Sequence, residues 1–339
     1  MNRRAFLLSA AGAAACARDR RPRLNVFNWS DYVAPETIPN FEREFGVRVR
    51  YATYESNEEM LAKVFSGNSG WDVVFPSNNY VGPMRELGLL APLRRDWLPN
   101  LNNLEARFQA PPWDPRLQWC VPYMHGATGI VFQQMEAPPR AWADLWSNRW
   151  QGRLTMLDDS VDVFGACLKK LGDSVNSVDA RELERAAREA MRQKPMLRAY
   201  LNAEVRDQLV SGDVLVAQLW ATTAQQAIDG AKALAFAYPA EGFPLYADTA
   251  AILRESGRGE LAHRFLDYLL RPEVAARAAS YTRTATANGA AQRLLPAQVR
   301  DNPTLYPPPE ILRRGEWLAP LPAPAQRLRD RLWTEIKSS

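Results

Sequence analysis

Residues that ligate metals or form nucleophile–base sets are scarce in this chain. Its 339 residues hold two histidines, His125 and His263, and three cysteines, Cys16, Cys120 and Cys167. The histidines stand far apart, outside any Cys or carboxylate cluster of metal-ligand spacing, so neither a metal site nor a cofactor is expected. Basic stripes interleaved with aromatics are missing too. Much of the basicity is at the front, where arginines crowd at positions 3, 4, 18, 20, 21 and 23, so nucleic acid is not an expected partner. Repeats and low-complexity segments are absent apart from Pro-rich stretches at 307–309 and 319–324.

What is present is enough apolar material for two cores: 47% of the chain is hydrophobic. The front, 1–23, reads as a signal peptide and leader and is set aside from the fold. Arg3-Arg4 precede an apolar stretch, 5–15, that has the length of a signal core and is too short to span a bilayer. The arginine pair followed by Phe6, Leu7 and Leu8 has the form of a twin-arginine signal. Ala13-Ala14-Ala15-Cys16 has the form of a lipoprotein site, with Ala13 in place of the usual Leu. A lipid on Cys16 would be the only membrane attachment. Cys120 and Cys167 are expected as buried free thiols, because a bridge needs strict geometry.

From residue 24 onward, strand-like runs alternate with amphipathic helices, which predicts an α/β fold with mostly parallel sheets. Strands are expected at 24–28, 47–53, 71–75, 154–157, 214–219 and 250–253. Helices are expected at 35–45, with Gly46 as its stop, and at 161–171, 180–192 and 325–337. Ser56 with Glu59 forms a capping-box pattern, so 53–58 reads as a strand-to-helix junction of structural value only.

The string Trp29-Ser30-Asp31-Tyr32 ends the first strand. A carboxylate between aromatic rings suits a cationic ligand: the charge pairs with an ammonium, and the ring faces pack along methylenes. Thr53–Glu58, Asp72–Ser77 and Gly126–Thr128 follow in order. Further matches are Trp142–Trp146, Asp158-Asp159, Val163-Phe164, 269–272, 304–306 and 315–317. Together these segments closely resemble the polyamine-binding (spermidine/putrescine) periplasmic proteins of ABC importers, over nearly the whole chain from Leu24.

The resemblance implies a two-lobe type II periplasmic binding fold with a ligand cleft between the lobes. The lobes would be 24–126 plus 249–293 and 127–248 plus 294–339, with small residues near Gly126 and Thr249 suited to a hinge. It implies a ligand set of Trp29, Ser30, Asp31, Tyr32, Ser77, Asn79, Asp159, Asp162, Trp220, Tyr246 and Asp248. Asp159 and Asp162, three apart at a helix start, can face one way, and Asp158 is expected to be the helix cap. Asn79, Tyr246 and Leu318 depart from the family's tyrosine, tryptophan and glutamine. Asp31, Asp159, Asp162 and Asp248 would converge with no Arg or Lys among the carried positions, an arrangement that a polycation neutralises. The implied protein is an exported monomer, not an enzyme, that delivers a polyamine to an inner-membrane ABC permease. Two rivals are a different organic cation as cargo, and an exported hydrolase using Asp159 and Asp162 as an acid–base pair.

Overall fold

The computed structural model describes residues 21–339. The signal features, Arg3-Arg4 and Cys16, lie outside the described residues. Eleven strands follow in chain order: β1 (Arg23–Trp29), β2 (Arg48–Tyr54), β3 (Val73–Val74), β4 (Cys120–Gln133), β5 (Leu154–Met156), β6 (Leu197–Tyr200), β7 (Val216–Trp220), β8 (Leu234–Ala237), β9 (Phe243–Ile252), β10 (Ala285–Thr286) and β11 (Gly315–Trp317).

Local chemistry sets the elements that lead to the site. The helix Thr37–Phe45 buries Phe41 and stops at Gly46, whose φ of +63° favours a residue without Cβ. The helix Asn57–Val64 starts where the Ser56 hydroxyl accepts the Glu59 N–H at 3.1 Å. The helix Ser160–Leu171 buries all of its residues from Val161 to Leu168, between two layers. Both Cys120 and Cys167 are free and buried.

Two α/β halves result. In the first, β1 pairs in parallel with β2 and β3. In the second, β5 pairs in parallel with β6 and β7. The expectation of mostly parallel pairing fails at the centre, where β4 and β9 run antiparallel to each other. β9 also pairs with β3, and β4 with β7 and β8, all antiparallel. These are the strands that pass between the halves, so they reverse direction relative to the parallel flanks. β4 is buried along almost its whole length because both of its faces are covered. It leaves one core after Met124 and enters the other at Ala127, and β9 switches between Leu245 and Ala247. Leu24, Phe41 and Phe265 anchor the first core, and Leu154, Phe164 and Val216 the second. Fully burying each such side chain contributes roughly 1.5–3 kcal/mol. Leu295, Val299 and Leu305 pack with Ala275 and Ala279, beside the first half.

Candidate ligand-binding cleft

A cleft of about 310 Å³ lies between the halves, at the low end of small-molecule sites, which run from ~300 Å³ upward. All eleven residues expected at the site line it: Trp29, Ser30, Asp31, Tyr32, Ser77, Asn79, Asp159, Asp162, Trp220, Tyr246 and Asp248.

On the first half, the end of β1 delivers the aromatic string. The Trp29 indole N–H donates to the Phe75 carbonyl at 2.8 Å, which locks the ring beside Tyr54. Asp31 has a φ of +53°, a left-handed backbone that Asp tolerates better than most residues, and its side chain is exposed. Asp248, on β9, is buried and accepts from the Tyr32 hydroxyl at 2.5 Å and the Ser77 hydroxyl at 2.7 Å. Ser77 is itself held by Asn57, whose amide donates to Ser77 Oγ at 3.1 Å and accepts the Ser77 N–H at 3.1 Å. Tyr246 lies two residues before Asp248 and points to the same side. Its ring passes over Gly126, the register partner on β4, where a Cβ would run into the phenol.

On the second half, the start of the helix Ser160–Leu171 supplies the other carboxylates. Asp159 is the helix cap: its Oδ1 accepts the N–H groups of Val161 at 2.7 Å and Asp162 at 3.2 Å. The expectation that Asp158 caps this helix is therefore wrong by one residue. Asp158 is exposed and pairs with Lys337 at 2.5 Å. Asp162 is buried, with Oδ1 taking the Thr128 hydroxyl at 2.5 Å and Oδ2 the Trp220 indole N–H at 2.8 Å.

Burial dominates the electrostatics. Asp248 is pushed up to about 6, by desolvation first, against the opposing hydrogen bonds from Tyr32 and Ser77. Asp159 and Asp162 are raised as well, desolvation leading in both, with Asp162 and then Glu58 adding repulsion at Asp159. Repulsion among the carboxylates, the cause expected from the sequence, is thus secondary. Arg329, buried on the helix Ala323–Ser338, offsets part of this charge from behind.

One expectation needs correction. The junction 53–58 is not purely structural, because Glu55 and Asn57 line the cleft and Glu55 accepts from the Ser30 hydroxyl. The cleft also carries one cation among the described residues, Arg206, on the helix Val205–Ser211. Glu204, Thr222, Thr223 and Gln226 were missed with it. No local signal in the sequence marked these residues as facing a cleft.

The model of the family of bacterial extracellular solute-binding proteins matches residues 69–313. The spermidine/putrescine-binding periplasmic protein of Escherichia coli K12 is 34% identical over 312 residues, 91% of this chain and 90% of that protein. The chain belongs to the bacterial extracellular solute-binding proteins. Among its relatives, a putrescine/agmatine-binding protein of Pseudomonas aeruginosa is 31% identical, covering 97% of this chain and 95% of the relative. The solved spermidine/putrescine ABC transporter substrate-binding protein of Streptococcus pneumoniae superposes with a TM-score of 0.82 at 27% identity, over 94% of this chain and 99% of that one. This solute-binding protein thus has the two-lobe α/β fold of its family. Among the described residues, no helix is long and apolar enough to cross a membrane.

Proposed function

We propose that this solute-binding protein captures a polyamine outside the cytoplasm and hands it to an inner-membrane ABC permease. The observation that carries the reading is the charge of the cleft. Asp162 and Asp248 are buried and Asp159 is half-buried, all three carboxylates have raised proton affinity, and no Arg or Lys forms an ion pair with them among the described residues. A ligand with ammonium groups at fixed spacing removes that penalty, while Trp29, Tyr32, Trp220 and Tyr246 cover its methylenes. The names of the relatives point to the same cargo.

The proposed lobes are 24–126 plus 249–293 and 127–248 plus the end of the chain. The packing of Leu295, Val299 and Leu305 near the first core favours placing the last crossing beyond Tyr306. Ligand held by Trp29, Asp31 and Ser77 from one lobe and by Asp159, Asp162 and Trp220 from the other would draw the lobes together, the state a permease reads. The protein acts as a monomer and without turnover. Asp159 and Asp162 belong to one helix start and are fixed by cap and indole bonds, a poor arrangement for flanking a scissile bond. Twin-arginine export and lipid attachment at Cys16 complete the proposal.

Solution scattering with and without saturating putrescine tests it. A smaller radius of gyration with ligand, and unaltered amine recovered after denaturation, are expected. Tight binding with an unchanged radius, or recovery of a converted product, would contradict it.

A further inference from the structure

We infer that Arg206 sets the far limit of the ligand, excluding a further ammonium from the end of the cleft beside the helix Ala221–Gly230 and so favouring a diamine over a longer polyamine. This rests on the polyamine reading above. Arg206 lines the cleft and its Nη1 donates to Gln226 Oε1 at 3.1 Å, a neutral amide. Among the described residues no carboxylate lies within ion-pair distance of it, so a guanidinium without an ionic partner faces the ligand space.

The same end is spanned by contacts between the halves. Gln226 Nε2 donates to the Thr282 carbonyl at 2.8 Å. One turn on, Asp229 pairs with Arg283 at 2.6 Å, and Gln225 braces Asp229 at 2.8 Å. Arg206, on the helix Val205–Ser211, is thus linked through Gln226 to a wall tied to the opposite half. Glu204, exposed at the start of the same helix, also lines the cleft and forms no ion pair with Arg206. The cation felt by Asp159 and Asp162 is Arg329 and not Arg206, so Arg206 does not serve to neutralise them. A diamine satisfies the acidic stretch and ends short of Arg206. A triamine reaching the wall sets a third charge against a like charge in a partly desolvated cleft.

Calorimetric titration of the wild type, Arg206→Gln and Arg206→Lys with putrescine and spermidine tests this. Glutamine keeps an amide donor for Gln226 and removes the charge. Arg206→Gln is expected to tighten spermidine by at least about fivefold while putrescine stays within about twofold. Arg206→Lys should keep the wild-type preference. On the wild type, spermidine acetylated at one end should bind more tightly than spermidine itself, a comparison independent of any variant's folding. An unchanged preference in Arg206→Gln, or equal binding of acetylated and free spermidine, would overturn the inference and leave the polyamine reading intact. So would tighter wild-type binding of an ω-amino acid than of putrescine that is lost in Arg206→Gln, since Arg206 would then receive an anionic end. Failure of the wild type to bind any amine would overturn both.

Discussion

Replacing Asp248 by Asn separates the ligand role of the cleft charge from its structural role, because the two effects have opposite signs. The carboxyl rises from 3.8 to about 6 on burial, so its ionised form at pH 7.5 costs the ligand-free fold about 3 kcal/mol, at ~1.4 kcal/mol per unit. A group whose folded value lies above its unfolded one gives stability below the unfolded value, near 4, and loses it as the pH rises through 6. Asn removes that loss at pH 7.5. It is nearly isosteric and still meets the Tyr32 and Ser77 hydroxyls, one of which must turn to accept from the amide, an adjustment of about 1 kcal/mol. The ligand-free variant should therefore melt a few degrees higher than the wild type, on the order of 2–4 °C per kcal/mol at most. Binding moves the other way. A buried ammonium without its carboxylate costs roughly 2–5 kcal/mol, so polyamine affinity should fall by at least about tenfold. Differential scanning fluorimetry and calorimetric titration at pH 7.5 read the two effects. Asp158→Asn is the control: its exposed pair with Lys337 is worth ~0–1 kcal/mol, and binding should stay within about twofold. Equal losses at both positions, or an Asp248→Asn variant that binds like the wild type, would refute the reasoning.

Acidification should weaken binding. Protonation of Asp248 alone lowers affinity about fourfold between pH 7.5 and 5.5, and the raised Asp159 adds to this; tighter binding at pH 5.5 would reverse the sign. Gly126→Ala should displace the Tyr246 ring, costing about 1–3 kcal/mol in a thermal melt and weakening polyamine binding, whereas unchanged melting and affinity would show that the ring needs no such space. Lysine at both Arg3 and Arg4 should hold the precursor in the cytoplasm in a fractionation assay, and normal export of that variant would exclude the twin-arginine route.

The sequence made the periodic elements legible, because period and cap chemistry are local. Phe41 and Gly46 mark a helix and its stop, and Ser56 with Glu59 marks the next start. It was less informative where partners far along the chain decide. β9 extends from Phe243, seven residues ahead of the expected start, because pairing with β4 and β11 recruits residues with no clear alternation of their own. The cap fell on Asp159 and not Asp158 because the two carboxylates are adjacent, and only backbone angles choose between them. The aromatic and acidic residues that meet in the cleft were visible through ordered motifs. Arg206 and Gln226 were not, since each is one polar residue on an unremarked helix, turned inward only by the packing of the second half.

The most direct test of the central claim is calorimetric titration of the purified protein with putrescine and spermidine at pH 6.5 in two buffers of different ionisation heat. The account predicts one amine per chain with a Kd below ~10 μM, about −7 kcal/mol. It also predicts net proton release on binding, because the ammonium groups drive ionisation of Asp159 and Asp248. No heat with either amine, or binding without proton release, would contradict it.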